Sequence, residues 1–218
     1  MTKKRNPNKG LFGWLWMLAN TLGWGLYYLV ATAAGWLGYQ AYNALNDGSG
    51  TGWLAGDSAK IYVGLVIFGI LWGVLVGLLQ WLALRQQVKV VWKYWLVATT
   101  LGMLAYGILR EILFGLVNTQ IGSGTINLYN ILITLAASVP LGIAQWLVLR
   151  RHFRLSGLWL EATVIAFGIW PALTTILSKA GVTDFLTRYI LSSVMDGLIY
   201  GRITLAALRI MFSRPDRQ

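Results

Sequence analysis

The sequence predicts an all-α integral membrane protein, with six transmembrane helices arranged as three parallel helical-hairpin repeats in a pseudo-threefold bundle. Composition is the first ground. With 57% hydrophobic residues, 11% charged residues and 12 tryptophans among 218, the chain holds more apolar surface than one soluble domain can hide, so lipid is its natural solvent. A recurring closing phrase is the second. It reads Gly-Leu-Leu-Gln-Trp-Leu-Ala-Leu-Arg from Gly77 to Arg85 and Gly-Ile-Ala-Gln-Trp-Leu-Val-Leu-Arg from Gly142 to Arg150, with a degraded third copy from Gly201 to Ala207, Leu208 and Arg209. A recurring opening helix is the third. Trp16, Ala19, Thr21, Leu22 and Gly23 return as Trp95, Ala98, Thr100, Leu101 and Gly102, while Trp159, Ala162 and Thr163 echo Trp95, Ala98 and Thr99.

Breaks in hydropathy place the spans at 14–40, 62–85, 94–117, 128–150, 157–178 and 187–209. Each is near the ~20 residues that cross ~30 Å of hydrocarbon. The runs are continuous rather than alternating, which selects helices over a barrel, because backbone groups in lipid must be satisfied within their own segment. The repeats then cover 14–85, 94–150 and 157–209 of a single membrane domain spanning 1–218, with basic tails at 1–13 and 210–218. The basic start, the apolar run and the small residues Ala31, Thr32 and Ala33 resemble a secretory signal. Alignment of this run with the third span argues instead for a retained helix. Gln80 and Gln145 are 65 residues apart but Gly23 and Gly102 are 79 apart, so the first repeat is longer by about 14 residues, carried by the outer loop at 46–61. That loop is rich in Gly and Ser and reads as a surface turn region; no Gly-Lys-Ser/Thr closes it, so it lacks the chemistry of a phosphate cradle.

A net charge of +11 would suggest nucleic acid for a soluble protein, but its placement points to a membrane. Lys3, Lys4, Arg5, Lys9, Arg85, Lys89, Lys93, Arg150, Arg151, Arg154, Arg209, Arg214 and Arg217 fall on one side of the expected spans, against Lys60, Lys179 and Arg188 on the other. This positive-inside asymmetry predicts cytoplasmic termini and an even number of spans, and no nucleic-acid partner. The chain contains no cysteine, which excludes disulfides, thiol catalysis and cysteine-held clusters.

Small residues recur every fourth position in the even-numbered spans: Gly69, Gly73 and Gly77, then Thr134, Ser138 and Gly142, then Ser193, Gly197 and Gly201. Residues four apart share a helix face, so each stripe predicts close helix packing, with a groove for a flat pigment or sterol as the alternative use. Trp81 precedes Arg85 by four residues, and Trp146 precedes Arg150 likewise; with Arg209 they read as headgroup anchors. Gln80 and Gln145 lie about 7 Å deeper than those arginines and need partners, either another helix or a bound pigment or substrate. Thr204 stands at the equivalent place in the third repeat.

Charges inside the spans are where chemistry would be sought. There are five: Arg110, Glu111, Glu161, Asp196 and Arg202. Arg110 and Asp196 sit at matched depth, about 12–14 Å from the outer surface, and are expected to pair. Glu161 is expected to meet Arg202, and Glu111 to lack a partner. Such pairs serve equally well to fix helix register or to line a path. The single histidine, His152, lies in a basic loop without companions for a metal site or a triad, so no catalytic role is expected.

The repeated Gly-x-x-Gln-Trp-Leu-x-Leu-Arg phrase, followed by a short basic loop and a Trp-bearing helix, resembles that of uncharacterised multi-pass bacterial membrane proteins, cyanobacterial ones among them. The likeness covers residues 77–165 well and fades in the first and last spans, where Leu205 replaces Trp81. It implies an architecture and a bacterial inner or thylakoid membrane, but no site. The expected function is a non-catalytic accessory or scaffold subunit of a larger membrane complex, with other membrane subunits and lipid as partners, bound lipid, and pigment as a further candidate occupant. The alternative is a small transporter or channel built on Arg110, Asp196 and Arg202.

Overall fold

The computed structural model describes residues 9–45, 57–88, 92–118, 126–182 and 184–213. Among them all regular structure is helical: α1 (Lys9–Gly25), α2 (Tyr27–Leu45), α3 (Asp57–Leu84), α4 (Trp92–Asn118), α5 (Ile126–Leu149), α6 (Gly157–Lys179) and α7 (Phe185–Ser213). The ends of both basic tails and most of the 46–61 loop fall outside the described residues.

Five helices are long and apolar enough to cross a membrane, over Tyr62–Leu84, Trp92–Val117, Leu128–Leu149, Gly157–Lys179 and Leu186–Ser213. These match the expected second to sixth spans closely. The expected span at 14–40 is different, because it is divided between α1 and α2 at Leu26. Helical bonds still bridge the break, from Leu26 N–H to the Leu22 carbonyl and from Val30 N–H to the Leu26 carbonyl, each 3.0 Å. Gly23 and Gly25 lie just before it, where two poor helix formers let the axis bend.

Neighbours in sequence are neighbours in space: α3 packs on α4, α4 on α5, α5 on α6 and α6 on α7. The circuit closes where α1 packs against both α7 and α3. Beyond the break, α2 lies on α3 and barely touches α7, so one half of the bundle is sealed and the other is splayed. The sealed half carries Arg85, Lys93, Arg150 and Arg209 and is called here the basic end. Outward faces are apolar, with Leu29, Ile112, Leu116, Ile165 and Ile176 all exposed, as lipid-facing helices require.

The small-residue stripes are used inside the bundle. A Cβ on Gly73 would lie 2.5 Å from Thr100 Cα, and one on Gly69 2.9 Å from Leu104 Cα, so α3 and α4 touch backbone to backbone. Gly77 faces Leu96 and Thr99 of α4, and Gly142 meets Leu160 of α6. Gly197 meets the Asn20 carbonyl and Thr21 Cα at 2.7 Å, and Gly201 meets Met17, both on α1. Ser138 and Ser193 are buried at their places in the stripes, and Ser138 donates back to the Leu135 carbonyl at 2.8 Å. In lipid, where apolar surface gains nothing by leaving the solvent, such close contact supplies the dispersion energy that joins helices.

The connection between α6 and α7 is built from two caps. Gly181 adopts φ 85°, its N–H bonds to the Ser178 carbonyl, and Val182 N–H bonds to the Leu177 carbonyl, the paired pattern that stops a helix on a left-handed residue. Asp184 then opens α7 by accepting a 2.6 Å bond from Thr187 N–H.

Candidate functional site

Towards the basic end, the conserved-by-repetition residues Trp16, Trp95 and Trp159 meet at the centre of the bundle, all fully buried. Trp159 is the hub, its ring centroid 5.7 Å from Trp16 and 5.7 Å from Trp95 in edge-on contacts. The residue four places after each tryptophan, Asn20, Thr99 or Thr163, is also buried, as are Gln80, Gln145 and Thr204 on α3, α5 and α7. These groups bond chiefly to one another. The Trp159 indole donates to Gln145 Oε1 at 3.1 Å, and Trp16 donates to Thr204 Oγ1 at 3.0 Å. Gln145 Nε2 donates to Thr99 Oγ1 at 3.0 Å and to Gln80 Oε1 at 3.2 Å. Gln80 Nε2 completes the chain on Asn20 Oδ1 at 2.9 Å. Both glutamine carbonyls therefore already accept hydrogen bonds, and as placed the two amides act as a latch between helices.

The asymmetry in this belt is informative. Trp16 and Trp159 each bond the polar residue at the matching place on α7 and α5, whereas the indole nitrogen of Trp95 has no partner among the described residues. By position Trp95 would meet Gln80, but Gln80 is turned to Asn20.

Above the belt the middle of the bundle is aromatic. Trp24 meets Trp72 and Phe167 at 5.0 Å, and Phe167 meets Tyr106 at 4.9 Å and Tyr200 at 5.7 Å. Asp196 is buried beside this layer at 1% exposure, and among the described residues neither of its carboxyl oxygens has a hydrogen-bond partner. The expected Arg110–Asp196 ion pair is thus absent. Matched depth gave one coordinate only: α4 and α7 do not pack together, and the two residues lie on different sides of the ring. Arg110 instead bonds Glu111, Nη1 to Oε1 at 2.9 Å, which also corrects the expectation that Glu111 lacks a partner. The expected Glu161–Arg202 pair is absent too, although α6 and α7 are neighbours, because both side chains point away from the bundle and are exposed.

The splayed half forms an open-sided cavity of about 390 Å³, within the size range of small-molecule sites. Its walls come from four helices: Tyr27 on α2, Phe68 and Trp72 on α3, Tyr106 on α4 and Trp170 on α6, with Arg110 and Glu111 supplying the charge. The Arg110 guanidinium carbon stands 5.5 Å from the Trp170 ring centroid, a cation–π contact. Tyr27 packs edge-on against Phe68 at 5.2 Å and Trp72 at 5.1 Å, and Trp72 donates to the Gly23 carbonyl at 3.2 Å, tying the wall to the break in the first span.

At the basic end the anchors are formed within each helix. Arg85 sits over Trp81 and Arg150 over Trp146, each with its guanidinium carbon 5.2 Å from the ring centroid. Arg209 is exposed, close to Gly13 of α1. Sequence reasoning named the glutamines but not Asn20 or Thr99 as their partners; the available signal was the constant offset of four from each repeated tryptophan. It did not find the cavity, whose aromatic walls lie four helices apart. Comparison of the chain with known protein families, with curated proteins and with solved structures finds no match.

Proposed function

We propose that the chain is a non-catalytic accessory or scaffold subunit of a larger membrane assembly, and that it holds a lipid or another small amphiphile in the cavity of its splayed half. Three like-oriented hairpins, both termini cytoplasmic and the cavity towards the outer leaflet of a bacterial inner or thylakoid membrane, complete the proposal. The observation that carries it is the contrast between the two halves: a sealed, hydrogen-bonded tryptophan core on one side and an aromatic cavity with a charged pair on the other. A tightly packed, hydrogen-bonded tryptophan belt across the bundle suits a holder better than a conduit. The triple recurrence of a buried tryptophan followed four residues later by a buried polar residue supports the pseudo-threefold arrangement.

Two measurements test this reading. Gentle extraction from native membranes is expected to yield the chain together with other membrane proteins; a free monomer under conditions that preserve other assemblies overturns the scaffold role. Terminal tags are expected to be accessible from the same face, and opposite accessibility overturns the three-hairpin topology. One observation favours transport as a second reading: the unpartnered carboxyl of Asp196 inside the bundle. Proteoliposomes separate the two, since ion flux abolished by Asp196→Asn would make the chain a conduit.

A further inference from the structure

We infer that the cavity of the splayed half selects a zwitterion: an acid group and an ammonium group held close together and joined to an apolar body. The inference rests on the reading of this cavity as a ligand site and adds the chemistry of the ligand. Arg110 and Glu111 are adjacent in sequence, both line the cavity, their side chains are 27% and 33% exposed, and one 2.9 Å bond joins them. That bond uses only one corner of each group. Arg110 Nη1 and Glu111 Oε1 make that bond, and both groups keep further donor and acceptor capacity beyond it. The outer Nη–H groups of the guanidinium remain to donate to the oxygens of a carboxylate or phosphate.

Charge complementarity then chooses among ligands. A simple anion would satisfy Arg110 but face the Glu111 carboxylate, and a simple cation would satisfy Glu111 but face Arg110; both set a like charge beside the ligand. A zwitterion faces neither. Because the two protein charges stand 2.9 Å apart, its acid and ammonium must be separated by a short spacer, as in an amino acid or an ethanolamine phosphate. The walls suit the remainder: Trp170 already holds one cation on its face, and Tyr27, Phe68 and Trp72 offer aromatic surface for an apolar tail or side group. Two sources share this chemistry, a zwitterionic lipid headgroup entering beside α2 and a free amino-acid-like solute.

Native mass spectrometry of the full chain, released from nanodiscs containing equal phosphatidylethanolamine and phosphatidylglycerol, tests the inference. Retention of the zwitterionic lipid at least ten-fold over the anionic one is expected, and that preference should vanish in Arg110→Gln and in Glu111→Gln. Titration of the detergent-solubilised chain with phosphoethanolamine or L-phenylalanine forms the other arm. Saturable binding there, sensitive to both substitutions and without lipid preference, supports the same site with a soluble occupant. Stronger retention of phosphatidylglycerol, equal retention of the two lipids without saturable binding of either solute, or a Glu111→Gln chain that binds as well as the parent, overturns the inference, because the site is then no zwitterion site. No retention or binding of any probe overturns it as well. A Cβ on Gly107 meets nothing within 4 Å, so Gly107→Leu fills the cavity while sparing the helix contacts. If Gly107→Leu leaves both lipid retention and solute binding unchanged, the cavity is not the ligand site at all; if it abolishes retention or binding that showed no charge preference, the ligand site stands and only its chemistry is wrong.

Discussion

A single glutamine can be worth more than a stretch of apolar surface when its solvent is lipid. Gln145 makes one hydrogen bond through its carbonyl and two through its amide, to three different helices. Intramembrane bonds contribute about 0.6–1 kcal/mol each, so Gln145→Leu is expected to cost about 2–3 kcal/mol in a reversible unfolding titration in micelles. Thr204→Val removes one acceptor from Trp16 and is expected to cost about 1 kcal/mol in the same measurement. Asp196 is the opposite case. With no partner for either oxygen among the described residues, its burial costs stability, and Asp196→Asn is expected to leave the melting temperature unchanged or raise it. A clear fall would reveal a bond to this side chain. The sequence made the need of Gln80 and Gln145 for partners legible, since buried amides must be satisfied, but it could not name those partners, because Asn20 is 60 residues from Gln80.

At the scale of the helix, close approach decides what a glycine tolerates. Gly73→Ala puts a methyl group 2.5 Å from Thr100 Cα, which no side-chain rotation relieves, and is expected to cost more than about 2 kcal/mol by forcing α3 and α4 apart. Gly107→Ala meets nothing and is expected to be neutral or to stabilise α4 by up to about 1 kcal/mol. Parallel melting curves for the two variants check the contrast. The cap of α7 gives a pH dependence. The bonds from Thr187 hold the Asp184 carboxyl below its ordinary value of 3.8. A group whose folded value is lowered stabilises the fold above its unfolded value and loses that contribution as pH falls through the folded one. Hydrogen exchange in the first turn of α7 is therefore expected to quicken as pH drops below 3.8 relative to a pH-matched peptide reference, and Asp184→Ala to remove the step. Spans two to six were legible because each apolar run is continuous and bounded by turn residues. The break at Leu26 was not, because the run from 14 to 40 stays apolar through Gly23 and Gly25 and hydropathy does not register a change of axis.

For the whole molecule, hydropathy and periodicity read depth well and azimuth poorly. Arg110 and Asp196 were placed at one level, yet their helices are not neighbours; Glu161 and Arg202 lie on neighbouring helices, yet face outward. The cavity was beyond sequence reasoning for the same reason, since its walls are brought together only when α2 leans away from α7. The meeting of Trp16, Trp95 and Trp159 has an optical consequence. Indoles whose centres are 5.7 Å apart, rigid and dry, share their electronic excitation, so this core should give a strong near-ultraviolet dichroic signal and blue emission. The three tryptophans come from α1, α4 and α6, so the chain carries a label-free gauge of whether those three helices are seated together, readable in any detergent, bilayer or denaturant series.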